Sequence, residues 1–204
     1  MIYEVRTYTL KPGSTPEVEK RWADALPARL KLSPLTAFFK TEIGPLNQII
    51  HIWEYENLEE RGRIREEAIR QKIWPPKASE FILNMQSEIM LPAPFMQPIK
   101  PAEIGPIFEW RTYTYQPGAM PKVLERWAQS VPDRIKVSPL AACWYSELGS
   151  LNRFIHVWAY RDLNDRTERR AKGMELPNWP PQTREWLVAQ ENKIVVPADF
   201  SPLK

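Results

Sequence analysis

Leu46-Asn47-Gln48-Ile49-Ile50-His51-Ile52-Trp53-Glu54-Tyr55 returns 105 positions later as Leu151-Asn152-Arg153-Phe154-Ile155-His156-Val157-Trp158-Ala159-Tyr160, and these two copies hold both histidines of the chain. In a strand successive side chains alternate between faces. Asn47, Ile49, His51, Trp53 and Tyr55 therefore share one face, and Gln48, Ile50, Ile52 and Glu54 the other. The second face is aliphatic at its centre, which suits packing under helices. The first is aromatic and polar, which suits an enclosed, partly polar space.

The repeat extends well beyond this stretch. At the same offset Glu4-Val5-Arg6-Thr7-Tyr8-Thr9 falls on Glu109-Trp110-Arg111-Thr112-Tyr113-Thr114, and the register holds without a gap to the C-terminus, with about 39 of 99 aligned pairs identical. The chain is a tandem duplication, and two copies are too few for a solenoid. Within the first copy, Ile2 to Leu10 alternates and is rich in β-favouring residues, and Lys11-Pro12-Gly13 reads as a turn. Thr15-Pro16-Glu17 starts a helix whose Val18, Trp22, Ala25 and Leu26 recur on one side, and Pro27 is expected to bend or end it. After Ser33-Pro34 comes a second strand, Leu35 to Thr41. Gly44-Pro45 turns it into the strand quoted above.

Asn57 with Glu60 three residues on resembles a capping box, opening a charged helix to about Ile73. Trp74-Pro75-Pro76 breaks the chain before an expected short helix, Lys77 to Asn84, and a last strand from about Ser87 to Leu91. The order is β-α-β-β-α-β, the ferredoxin-like arrangement, whose sheet carries both helices on one face and leaves the other bare. Pro92 to Pro106 contains five prolines and no period, so it reads as a semi-rigid connector. The expected division is residues 1–98 as the first unit, 99–106 as linker and 107–204 as the second unit. Packing the two bare faces together would close an α+β barrel within one chain. Glu4, Arg6 and Tyr8, with Glu109, Arg111 and Tyr113, are placed on its inner face together with His51, Trp53, Tyr55, His156, Trp158 and Tyr160. Ile50, Ile52, Ile155 and Val157 are placed under the helices.

Composition narrows the function classes. The net charge of +3 is dispersed, without a block of like charge, and argues against nucleic acid or an acidic membrane surface as the main partner. A single cysteine, Cys143, permits neither an intrachain disulfide nor a cysteine zinc cluster, so a reducing compartment, the cytoplasm, is expected. The N-terminus reads directly into a strand, and no stretch approaches the roughly 18 apolar residues of a membrane span. Nine tryptophans line either a core or a cavity.

Glu4-Val5-Arg6-Thr7-Tyr8 with Pro12-Gly13, Glu42-Ile43-Gly44-Pro45-Leu46-Asn47 and His51-Ile52-Trp53-Glu54-Tyr55 together resemble the NIPSNAP domain. Glu109 to Tyr113, Glu147 to Asn152 and His156 to Tyr160 repeat the pattern. Arg61, Trp74 and Pro92 fit it as well, as do Arg166, Trp179 and Pro197, so the resemblance spans nearly the whole chain. It implies a dimeric-type α+β barrel near the antibiotic-biosynthesis monooxygenases and other small barrels that bind flat or aromatic molecules. It implies no catalytic set, and one fold hosts many functions.

His51 and His156 are the acid–base candidates, set against the alternative of buried histidines satisfied by a neighbour. Asn47 and Asn152, the tryptophans and the tyrosines would orient a ligand, and the Glu–Arg pairs are either an anion clamp or structural ion pairs. Arg61 and Arg65, repeated as Arg166 and Arg170, are spaced i, i+4 on a helix, either to hold an anion or as a solvated face. No metal-ligand spacing, phosphate loop or nucleophile elbow is present, so neither metal nor other cofactor is expected. Two function classes remain: a cofactor-independent enzyme or binder with a pocket for a small aromatic or hydrophobic molecule, and a non-catalytic interaction module with a filled interior. Association into a homo-oligomer is compatible with either. The halves need not be equal, since Phe38-Phe39-Lys40 becomes Cys143-Trp144-Tyr145.

Overall fold

A computed structural model describes all 204 residues. The first unit runs β1 (Ile2–Leu10), α1 (Thr15–Arg29), β2 (Leu35–Ile43), β3 (Gln48–Tyr55), α2 (Leu58–Arg70) and β4 (Ile82–Pro92). The second repeats it as β5 (Ile107–Tyr115), α3 (Met120–Arg134), β6 (Leu140–Leu148), β7 (Arg153–Tyr160), α4 (Leu163–Met174) and β8 (Leu187–Pro197). The eight strands close into one barrel in the order β1-β3-β2-β8-β5-β7-β6-β4. The units join through β2 with β8 and β4 with β6, so the duplicated sheets complete each other within the chain. No helix is long and apolar enough to cross a membrane.

Local chemistry accounts for the elements. The Asn57 side chain accepts from the Glu60 amide at 2.9 Å while the Glu60 carboxylate accepts from the Glu56 amide at 2.6 Å, and α2 starts there. Asp162 caps α4 the same way, accepting from the Asp165 amide at 2.8 Å. Helix α1 continues two residues beyond Pro27 and ends at Arg29, just as α3 ends at Arg134 beyond Pro132. The helix expected over Lys77 to Asn84 is only one 3-10 turn, Ser79–Phe81, and β4 begins directly after it, at Ile82 rather than Ser87. Pairing along β1 draws those residues into the sheet, with Tyr8 opposite Met85 and Thr9 opposite Asn84. The hairpin turns use left-handed positions at Gly44 (φ 116°) and Gly149 (φ 109°), and a Cβ at Gly44 would come within 2.9 Å of the Lys193 side chain.

The faces of the strands are the reverse of the expectation. One buried cluster draws on all eight strands and fills the middle of the lumen, including Tyr3, Val5, Phe39, Ile50, Ile52, Met90, Trp110, Trp144, Ile155, Val157 and Val195. Two further clusters, one per unit, lie between sheet and helices: Trp53 and Tyr55 pack with Val18, Trp22 and Leu26 of α1, and Trp158 and Tyr160 with Val123, Trp127 and Val131 of α3. Ile50, Ile52, Ile155 and Val157 therefore face the lumen. His51, Trp53, Tyr55, His156, Trp158 and Tyr160, with Glu4, Arg6, Tyr8, Glu109, Arg111 and Tyr113, face the helices. A narrow lumen closed on itself is best filled by aliphatic and large aromatic side chains, whereas the helix layer can supply cations to polar groups on the sheet.

The proline-rich connector is packed rather than free. Met96, Ile99, Ala102 and Ile104 lie against the lumen cluster beside Leu203, and Ala102 forms a parallel bridge to Leu203. One end of the lumen is thus stoppered by connector and C-terminus. Because the lumen cluster joins the units, Ile155→Ala should cost about 2–4 kcal/mol of stability in urea unfolding, whereas Ile43→Ala, at a half-exposed position, should stay within about 0.5 kcal/mol. Equal costs would contradict this placement of the core.

Candidate functional site

Each unit builds the same polar cluster between its sheet and helices. On β1, Arg6 Nη1 donates to Glu4 Oε1 at 2.7 Å and Arg6 Nε donates to the Tyr8 hydroxyl at 2.7 Å. Arg61 of α2 donates to the same Glu4 oxygen at 2.6 Å, and Ser87 of β4 donates to it at 2.7 Å. In the second unit Glu109 accepts from Arg111 at 2.7 Å, Arg166 at 2.6 Å, Asn192 at 3.0 Å and Arg170 at 3.4 Å. The helix arginines are thus engaged with the sheet and do not form a solvated face. Burial by itself raises the Glu4 carboxyl, but hydrogen bonds from Arg61 and Ser87 and the charge of Arg6 outweigh it and hold it at about 2. Glu109 is held at about 2 against its own burial by Arg166, Arg111 and Arg170. These carboxylates are structural anions held by charged donors; in Glu109 both oxygens accept, whereas in Glu4 the donors converge on Oε1 and Oε2 is left buried without a partner.

The histidines sit beside them, fully buried. Trp53 Nε1 donates to His51 Nδ1 at 2.7 Å, and Trp158 Nε1 donates to His156 Nδ1 at 2.6 Å. An indole nitrogen can only donate, so Nδ1 carries a lone pair and the neutral ring holds its proton on Nε2. Both Nε2 atoms are buried without a partner. Burial first, and then the charge of Arg6, lowers the His51 pKa to about 3, and burial with Arg111 depresses His156 well below its usual value. This arrangement suits a neutral hydrogen-bond donor rather than the general base expected from the sequence, since a base needs its free lone pair at the nitrogen not already engaged.

Asn47 and Asn152 do not join either cluster. They occupy left-handed turn positions, φ 56° and 58°, and their carbonyls accept from the amides of Leu10 and Tyr115. Asn tolerates this conformation, so their recurrence reflects the hairpin turn and not a ligand.

In the second unit a cavity of about 390 Å³ opens onto this cluster. Its walls are Arg111, Tyr113, His156, Trp158 and Tyr160 from the sheet, Trp127 and Arg134 from α3, Arg170 and Met174 from α4, Trp179, Pro180, Pro181, Thr183 and Arg184 from the segment after α4, and Leu187 and Gln190 of β8. Four arginines line it and no carboxylate does. Arg134 is the residue that sequence reasoning missed: it is 2% exposed, its guanidinium lies 4.7 Å from the Trp158 ring and 5.3 Å from that of Trp179, and its Nε and Nη1 have no partner. Its counterpart Arg29 also has an unpartnered Nε, but its terminal nitrogens donate to Ser33 at 2.7 Å and to Tyr55 at 3.0 Å. Its signal in the sequence was an arginine on the apolar stripe Val123, Trp127, Val131, repeated as Arg29 on Val18, Trp22, Leu26. The cavity wall also carries Thr183, Arg184 and Gln190 where the first unit has Ala78, Ser79 and Met85. In the first unit Phe38 stacks on His51 at 6.0 Å, and in the second Cys143 is opposite His156 while Phe154 packs against Trp127 at 4.6 Å, so the volume has been exchanged between neighbouring strands.

Comparison with known proteins agrees with this repeated architecture, because the NIPSNAP profile matches residues 3–97 and, a second time, residues 108–202. The chain belongs to the NIPSNAP family. The human protein NipSnap homolog 3A is 28% identical over 217 residues, covering 100% of this chain and 86% of the relative. The Drosophila melanogaster protein NipSnap is 23% identical, covering 99% of this chain and 78% of the relative. A NIPSNAP family crystal structure from Agrobacterium tumefaciens, of unknown function, is 37% identical over 48% of this chain and 93% of its own, with a TM-score of 0.46. A putative monooxygenase from Fusobacterium nucleatum shares the fold over 96% of this chain and 91% of its own, with a TM-score of 0.63 at 11% identity. In this NIPSNAP chain the α+β barrel is therefore made by one polypeptide carrying two family domains.

The depressed histidines give the protein a measurable pH response. An unfolded histidine takes up a proton near pH 6.5 while these folded ones stay neutral, so stability is complete above about pH 6.5 and is lost as pH falls toward about 3. Each histidine should contribute up to about 1.4 kcal/mol per pH unit in that window, and Glu4 and Glu109 add to the loss from about pH 4.5 down toward about 2. Urea unfolding from about pH 7 to about pH 5 should follow that slope, His51→Gln should reduce it by about half, and nitrogen NMR should find both rings protonated at Nε2. A flat profile would contradict the burial of both rings in neutral form.

Proposed function

We propose that this NIPSNAP protein binds a small, flat, aromatic molecule bearing an anionic group, in the cavity between sheet and helices of its second unit. The observation that carries this reading is Arg134, a buried guanidinium with unpaired donors in a cavity lined by arginines and no acid. A buried cation without a counter-charge is costly, and a ligand carboxylate would supply both the charge and the acceptors. Trp127, Trp158, Trp179 and Tyr113 offer ring faces and edges to a flat molecule. The Nε2–H of His156 adds a neutral donor for a carbonyl or hydroxyl of the ligand. That donor also supports a second reading as a cofactor-independent enzyme, in which His156 polarises a ligand carbonyl while remaining neutral. Cys143, buried and unpaired, suits a reducing compartment such as the cytoplasm.

Calorimetric titration with 2-naphthoate, 2-naphthylmethanol and naphthalene tests the reading. The carboxylate should bind and raise the melting temperature, and the neutral analogues should not. Arg134→Met should weaken naphthoate binding about 10-fold or more, since hydrogen bonds to charged groups are worth about 1.5–3 kcal/mol, while leaving the free protein at least as stable. Binding of all three compounds alike, or unchanged naphthoate affinity in Arg134→Met, would overturn it.

A further inference from the structure

The lumen is stoppered at the connector end and open at the other. There, between the tips of the β2–β3 and β6–β7 hairpins, lies a cavity of about 690 Å³ that is separate from the pocket under the helices. Its floor is Val5, Trp110 and Ile155, and its walls carry Thr7, Thr112 and Gln48. Register places these side chains in successive layers: Val5 lies opposite Glu88 and Trp110 opposite Lys193, with Thr7 and Thr112 one layer nearer the mouth. Glu88 and Lys193 therefore occupy equivalent positions in the two units.

The duplication has diverged here in charge. Glu88 is paired with Arg153 of β7 at 2.8 Å. The position equivalent to Arg153 is Gln48, so the pair that symmetry would place across the lumen is Lys193 with Gln48, and a glutamine cannot neutralise a lysine. Lys193 has no carboxylate within ion-pair distance, and its Nζ lies over the Trp110 ring at 5.6 Å. The Gln48 Oε1 and the Arg153 Nε are both buried and unpartnered. The mouth thus holds two cations and two carboxylates, Glu88 and Glu191; Glu88 is taken by Arg153, and Lys193 is left without a partner at ion-pair distance above an apolar floor.

We infer that the open end of the lumen is a second ligand site, taking a small carboxylate with a short aliphatic tail whose acid group lies at Lys193 beside Arg153. The tail rests on Val5, Ile155 and the Trp110 ring. The pH dependence follows from the groups around the amine. Burial and the charge of Arg153 lower the Lys193 pKa to about 8, against the opposing influence of Glu191 and Glu88. Anion binding needs the charged amine, so affinity should hold below about pH 8 and fall about tenfold per pH unit above it.

Methyl NMR with hexanoate as probe tests the site. Saturable shifts are expected at the Thr7, Thr112 and Ile155 methyls, with none from hexanol at equal concentration. Lys193→Met and, as a variant that keeps a polar side chain, Lys193→Gln should each weaken hexanoate binding about 10-fold or more, while Lys193→Arg should retain it. Arg134→Met should leave these shifts intact, which separates this site from the pocket under the helices. Absence of saturable shifts at these methyls, equal shifts with hexanol, or hexanoate affinity unchanged in both neutral variants would overturn the inference.

Discussion

A carboxylate taken fully out of water decides which way the sheet faces. Glu4 and Glu109 are 0% exposed, and such an anion persists only with charged donors around it. Arg6 and Arg111 come from the same strand, two residues on, but the remaining cations must come from another element. The helix layer supplies them, since α2 brings Arg61 and α4 brings Arg166 within 2.6 Å. The charged groups on the lumen side, Glu88, Arg153 and Lys193, line its open mouth instead. Once Glu4 and Glu109 face the helices, strand alternation carries Arg6, Tyr8 and their repeats with them. Across the ladder, His51 lies opposite Arg6 and His156 opposite Arg111, so the histidines follow.

This explains how much of the molecule was legible in the sequence. The duplication, the β-α-β-β-α-β order and the single-chain barrel follow from the gapless repeat and from the bare sheet face that each unit would otherwise expose. Alternation separated the two faces of each strand correctly, but periodicity alone does not say which face is inside. The deciding information lay in the helices. Arg61 and Arg65 share a helix face with their repeats Arg166 and Arg170, and Arg29 and Arg134 lie on apolar stripes, which marks that layer as the polar one. The Trp–His hydrogen bond was less accessible still, because i, i+2 neighbours on a strand are as consistent with two independent core residues as with a bonded pair.

The same bond sets the chemistry of the candidate site. A histidine amid this many arginines invites a reading as a proton acceptor, yet an indole donor at Nδ1 leaves only Nε2–H to offer. Protonating the ring would require both nitrogens to donate, which sets Nδ1–H against the indole N–H, and would add a cation near Arg111, Arg134 and Arg170. Electrostatics and hydrogen bonding therefore act in the same direction. The site is built to meet negative charge with fixed positive charge and a neutral donor.

A duplicated scaffold allows its two copies to drift apart while the barrel holds. In the first unit both terminal nitrogens of Arg29 are taken up by Ser33 and Tyr55, and only its Nε is left unpaired. In the second the same three residue types are present as Arg134, Ser138 and Tyr160, but the Ser138 and Tyr160 hydroxyls and two Arg134 nitrogens have no partners. Leaving several buried polar groups unpaired in one place is expensive, and around this arginine the first copy leaves fewer of them. The cost falls where a cavity of about 390 Å³ begins, and two of the residues concerned, Arg134 and Tyr160, line it. The two copies therefore differ in degree: more groups stand unpaired around Arg134 than around Arg29, and the difference lies beside the cavity of the second unit.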